Sequence, residues 1–230
     1  MGRLTDPRLL AAAEMVRPGS VVADIGADHG YLICHLVQQG IAPGGYACDI
    51  GQKPLAACAK TIAERGLDDK IHLRLTDGLH GLPLEEIDDI IIAGMGGEMI
   101  ADIIKAAPGA RDSRLRFILQ PMTKAERLRA DLYRMGYTIE RERAVRSGGF
   151  LYTVMLVSYV AAPKDVDELF ARTGLLPEDG SPQSRELLGL SARRLEKIAD
   201  GLARTPQGVQ QAAGYRKLAQ DINDMIQKER

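Results

Sequence analysis

Apolar residues fall in short runs separated by stretches with helical spacing. Residues 21–25, 45–49, 71–76, 90–93 and 116–120 are compact runs rich in Val, Ile, Leu and Ala, each of strand length. Residues 31–39, 54–64, 98–106 and 124–135 place apolar side chains three or four apart, which predicts helices. Strands alternating with helices predict a parallel sheet with helices on both faces. Two further strand-like runs, 138–145 and 151–159, are joined through Ser147-Gly148-Gly149 and predict a hairpin closing that sheet.

Beyond Tyr159 the pattern changes. Residues 161–180 carry Pro163, Pro177 and Gly180 and read as a linker or a short helix. Residues 181–202 repeat apolar positions at Leu187, Leu195, Ile198 and Leu202, and residues 207–228 do so at Tyr215, Leu218, Ile222 and Met225. Thr205-Pro206 breaks the first of these helices and starts the second. An antiparallel helical hairpin with coiled-coil-like packing is expected. The division expected is an α/β domain over residues 1–160 and a helical domain over residues 161–230.

Composition narrows the setting. Cys34, Cys48 and Cys58 form no CxxC pair, so neither a disulfide framework nor a metal site is expected, and a reducing compartment fits. The first twenty residues lack an apolar signal segment. The charge-free stretch 147–163 is broken by Gly148 and Gly149 and suits a buried strand better than a membrane span. A cytoplasmic protein that does not enter the membrane is expected, as a monomer or as a dimer joined through the helical tail. Net charge is −1, but its distribution is uneven. Residues 1–104 hold 8 Lys/Arg against 15 Asp/Glu, while residues 105–146 hold 11 against 5. Such a basic segment suits an anionic polymer or a set of solvated helix faces, and charge alone leaves both open.

The polar residues with chemical promise stand at strand ends. The first strand runs into Asp24-Ile25-Gly26-Ala27-Asp28-His29-Gly30, a glycine-rich turn that lets backbone approach a ligand at the sheet's carboxyl edge. Asp28 stands where dinucleotide sites commonly have glycine. Its carboxylate would repel a pyrophosphate but could pair with the cationic amino group of a methionine-bearing cofactor. Asp49 ends the second strand, where an acid can accept both ribose hydroxyls of an adenosine. Asp77-Gly78 ends the third, where a carboxylate could take an adenine amino group. Gly94-Met95-Gly96-Gly97 ends the fourth and leaves room for a flat group beside a soft apolar side chain. Gln120-Pro121 ends the fifth, and Gln120 could bond a base edge or its own loop. His29 and Tyr31 follow the first turn, where Tyr31 could stack on a base and His29 could position it or move a proton.

Together, DIGADHGYL, the acid in CDI, TDGL, IAGMGG, and LQP followed by a helix with RLRADLYRMGY resemble the TrmK family of bacterial tRNA (adenine-22-N1)-methyltransferases. The resemblance covers about 160 residues in order, and the helical tail is similar to the family's coiled-coil appendage. It implies a Rossmann-like class I methyltransferase fold with a C-terminal helical hairpin, S-adenosylmethionine as cofactor and tRNA as partner. It also implies cofactor contacts from Asp24, Gly26, Asp28, Asp49, Asp77, Gly78 and Gly94, and an adenine pocket lined by His29, Tyr31, Met95 and Gln120. Asp28 or His29 would take the proton. Lys105, Arg111, Arg114, Arg116, Lys124, Arg127, Arg129 and Arg134 would be candidates for phosphate contact, with Arg8 as a further one. A methyltransferase of a small molecule or of another RNA, a binding module without turnover and an NAD-dependent oxidoreductase are the competing readings. Asp28 and the terminal hairpin speak against the last.

Overall fold

The computed structural model describes residues 4–228. Seven strands form one sheet: β1 (Val22–Ile25), β2 (Gly45–Asp49), β3 (Ile71–Leu75), β4 (Asp89–Gly96), β5 (Arg116–Thr123), β6 (Tyr137–Ser147) and β7 (Phe150–Tyr159). Their order is β3-β2-β1-β4-β5-β7-β6. The first five run parallel, and β7 pairs antiparallel with both β5 and β6. The order reverses at β1, so β1 and β4 flank the crevice where ligands bind in open α/β sheets.

Side-chain alternation along the central strands feeds two cores. Ile90, Ile92, Phe117 and Leu119 face one side, where α4 (Gly97–Ala106) and α5 (Ala125–Arg134) pack through Ile100, Ile104, Leu128 and Leu132. Ile91 and Ile118 face the other. There α1 (Pro7–Ala13), α2 (Tyr31–Gln38) and α3 (Gln52–Glu64) contribute Ala12, Ile33, Leu36 and Ile62. Each of these large side chains is fully buried or nearly so, worth about 1.5 to 3 kcal/mol apiece. The helix α1 has no counterpart in the sequence-based reading. Its start is nonetheless written locally: Asp6 accepts the N–H of Arg8, and Pro7 occupies the first helical position.

The tail comprises α6 (Glu168–Thr173), α7 (Leu176–Asp179), α8 (Pro182–Leu202) and α9 (Val209–Lys228). Residues 161–180, read as a linker or a short helix, thus hold two short helices. The long pair packs as a hairpin, but its seam differs from the expected one. Leu188, Ala192, Leu195 and Ala199 are the buried apolar positions of α8, at the spacing of a heptad seam, while Ile198 is exposed. Alanines at two of these positions let the helices approach closely. The hairpin's core takes in Leu176 and Ala144 of β6, so the tail sits against the outer strand of the sheet.

A buried ion pair fixes this junction. Arg129 of α5 donates to Glu142 of β6 at 2.7 Å and to the carbonyl of Ala171 at 2.7 Å. Glu142 also accepts from the Thr153 hydroxyl and from the Leu175 N–H. Both side chains are almost completely buried. Among the described residues no helix is long and apolar enough to cross a membrane.

Candidate active site

The sequence-predicted residues meet along the carboxyl rim of the parallel strands, joined by a chain of contacts. At the β3–β2 step, the Thr76 N–H donates to the Asp49 carbonyl at 3.0 Å. At the β2–β1 step, the Asp49 carboxylate accepts the N–H of Asp28 at 3.3 Å and that of Gly51 at 2.8 Å. At the β1–β4 step, Gly26 lies so close to Met95 that a Cβ on Gly26 would stand 2.3 Å from the Met95 Cε. At the β4–β5 step, the Gly94 N–H donates to Gln120 at 3.1 Å. Residues 50 or more positions apart in the chain thereby share one edge.

Within the first turn, Gly26 (φ +74°) and Asp28 (φ +48°) both adopt left-handed backbone. For an aspartate this conformation is uncommon, and it costs of order 1 kcal/mol. The turn is held in it by paired N–H groups, since Gly26 and Ala27 both donate to the Cys48 carbonyl. Asp28 and His29 consequently project outward, with the imidazole Nε2 3.9 Å from the Asp28 carboxylate. His29 stacks on Tyr31, ring centroids 5.4 Å apart and planes 5° from parallel. The Arg65 guanidinium stands 5.7 Å from the centre of the Tyr31 ring.

Asp24 is the exception on this exposed edge. It is buried at the end of β1, and no ion pair reaches it among the described residues. Burial pushes its carboxyl up to about 7; the N–H of Ile33 in the first turn of α2 opposes the rise, and the negative charge of Asp49 adds to it. The N-cap of α2, Gly30, makes no side-chain cap, and Asp24 still lacks a cation.

The fourth and fifth strands run further than their apolar runs. Register shifts around Met95 carry β4 on to Gly96 and β5 on to Thr123. Gln120 is fully buried; its carbonyl oxygen accepts from Gly94 and its amide donates to the Pro121 carbonyl at 3.0 Å. Of the two roles open in the sequence, the structure shows Gln120 bonding its own loop, as a brace for the Gly94 turn. The Gly94 N–H is likewise already engaged.

Asp77 and Gly78 line a cavity of about 940 Å³ that runs along α4 past Gly97, Met99 and Ile103. Asp24, Asp28 and Asp49 lie outside its lining, so the cavity continues their rim rather than enclosing it. Sequence reasoning missed Ile50, an apolar residue 71% exposed immediately after the Asp49 strand end, and Leu75 and Met99, also exposed at this edge. An exposed Ile directly after a strand-end acid was the available signal.

The basic segment divides on the fold. Arg111, Arg114 and Arg116 precede or open β5, and Lys105 and Arg134 close α4 and α5, so all five sit at the edge opposite the site. Arg114 bonds the carbonyls of Leu84 and Ile87 there, and Arg116 that of Met15. Arg129 is buried with Glu142 and cannot reach a phosphate. Lys124 and Arg127 alone of that set lie at the site's edge, both beside Glu98. Cys34, Cys48 and Cys58 are free and buried. Among the described residues no His, Cys, Asp or Glu cluster could hold a metal ion.

Residues 5–155 match a family described as a methyltransferase domain. With the sheet order and the rim of strand-end acids, this makes the protein a class I methyltransferase. A tRNA (adenine(22)-N(1))-methyltransferase of Bacillus subtilis is 34% identical over 169 residues, 74% of this chain and 71% of that protein. The crystal structure of the B. subtilis M1A22 tRNA methyltransferase TrmK superposes with a TM-score of 0.85 at 26% identity, over 96% of this chain and 99% of the other. A Streptococcus pneumoniae protein, described as a candidate tRNA (m1A22) methyltransferase and solved in complex with S-adenosyl-L-methionine, gives 0.78 at 27% identity over 94% and 97%. The chain belongs to the TrmK family.

Proposed function

We propose that this protein transfers the methyl group of S-adenosylmethionine to N1 of adenine 22 in tRNA, in the cytoplasm. The observation that carries the reading is the gathering of Asp24, Asp28 and Asp49 on the same rim as Met95. The relatives support the substrate, since the similar B. subtilis enzyme is a tRNA (adenine(22)-N(1))-methyltransferase, and the S. pneumoniae complex supports the cofactor.

The residues present fit that cofactor. A buried carboxyl without a cation, a second carboxylate in the turn and a glycine in left-handed backbone against the end of Met95 suit a cationic amino acid held close to backbone. Asp49 would accept the ribose hydroxyls, and Asp77 with Gly78 would take the adenine edge, with Ile50 and Leu75 against the ring. When bound, S-adenosylmethionine supplies an electrophilic methyl on a sulfonium. Met95, packed against Gly26, would hold the target adenine beside it, with Gln120 fixing the turn that carries Met95. Adenine N1 is nucleophilic through its own lone pair, so positioning supplies much of the rate. Asp28 or His29 would take a proton from the exocyclic amine and relieve the product's positive charge. The target base must leave its stack to reach this edge.

The test is labelled-methyl incorporation into an unmodified tRNA transcript, followed by mapping of the modified nucleotide. One methyl at N1 of adenine 22 is the expected result. Tight S-adenosylhomocysteine binding with no incorporation would move the assignment to a small-molecule methyltransferase.

A further inference from the structure

A second cleft, of about 580 Å³, lies between the β6–β7 hairpin, the start of α5 and the flank of α8. Strand direction places it on the active edge. Leu119 pairs with Met155, and β7 runs antiparallel to β5, so the hairpin tip at Ser147 and Phe150 stands level with the end of β5. Thr123 and Lys124 line both this cleft and the cavity that begins at Asp77, so the two are neighbours across these residues.

The lining combines two chemistries. Phe150, at the tip, is 68% exposed and serves no core; Tyr152 follows it on the same face of the strand, with the Arg8 guanidinium 5.2 Å from its ring centre. The cations Lys124, Arg146, Arg172 and Arg194 outnumber the acids Glu126 and Glu186. Arg146 is paired with Glu186 and Arg172 with Glu168, whereas Arg194 is exposed on α8 with no ion pair among the described residues. The exposed Phe150 ring and the unpaired Arg194 guanidinium match the stacked base and the phosphate of a single strand. A lipid surface would need a flat apolar face, and this one is concave.

We propose that this cleft is a second RNA subsite, holding the unpaired segment next to the target nucleotide, with a base on Phe150 and phosphates on Arg194 and Arg146. The inference rests on the tRNA reading above and extends it. It also gives the tail a task, because α8 supplies one wall of the cleft.

The test uses the full chain with Phe150→Ala and Arg194→Ala, and reads KM for unmodified tRNA transcript alongside S-adenosylhomocysteine affinity. The expected result is a rise in KM of about tenfold for Phe150→Ala, with cofactor affinity unchanged and with recovery in Phe150→Tyr. Arg194→Ala should raise KM and lower the slope of log KM against log salt by about one. Wild-type KM in both variants, with tRNA methylation intact, would overturn the subsite and leave the cleft to another occupant such as an acidic protein segment. Absence of methylation by the wild-type protein would overturn both the subsite and the tRNA reading, so the two failures are distinguishable.

Discussion

Two buried carboxylates divide the molecule between them. Glu142, at the junction of sheet and tail, has Arg129 against it and accepts in addition from Thr153 and Leu175. Asp24, at the end of β1, is as deeply buried, yet its neighbours are an N–H and a second acid. A buried charge with its cation in place is structure, because every lone pair is met inside the fold. A buried acid left without one fits the proposed role of meeting a cation that arrives from outside. The rim of strand-end acids therefore reads as a site, and the equally polar junction does not.

The largest effect should come from breaking the completed pair. Arg129→Ala leaves Glu142 buried and alone and should cost about 3 to 5 kcal/mol in chemical denaturation. Replacing both partners with apolar residues of similar size should recover most of that loss. A single variant as stable as the wild type would remove the contrast between the two regions.

On the other side, Asp49→Ala should weaken S-adenosylhomocysteine binding by more than tenfold, or about 1.4 kcal/mol per decade, without unfolding the protein. Calorimetry on the folded variant checks this, and unchanged affinity would take Asp49 out of the site. A smaller effect is expected at Gly26, where an added Cβ meets the movable end of Met95 in a left-handed backbone. Gly26→Ala should cost roughly 1 to 2 kcal/mol of stability and shift Met95. A thermal midpoint equal to the wild type would show that the turn tolerates side chains.

Much of this was legible in the chain. The triple run Ile90-Ile91-Ile92 has to be a strand buried on both faces, and the acids follow such runs directly, so both sheet and rim could be read locally. Other features depend on contacts distant in sequence. Nothing local to Arg129 tells that its partner is Glu142 across the junction, or that Arg114 and Arg116 emerge at the far edge while Arg146 returns to the active one. The continuation of β4 and β5 through Gly94 and Pro121 was hidden because glycine and proline usually end strands, and here they mark bulges. Ile198 has the spacing of a seam residue, but the buried seam runs one position away, through Ala199.

Asp24 also gives the pH dependence a sign. Its carboxyl in the fold sits at about 7, above the ordinary 3.8. Between those values the folded protein binds more protons than the unfolded chain, so stability falls as pH rises through that window and levels off above it. On the proposed reading, the cofactor's amino group delivers a cation to Asp24 and favours its ionised form, so cofactor affinity is expected to rise over the same range.

The most direct measurement is calorimetric titration of S-adenosylhomocysteine into the wild type and Asp24→Asn from about pH 5.5 to 8.5. Wild-type affinity should fall as pH drops below about 7, with proton release on binding, while Asp24→Asn binds more weakly and loses that dependence. Parallel affinity curves for the two proteins would contradict the idea that the ligand supplies the cation Asp24 lacks.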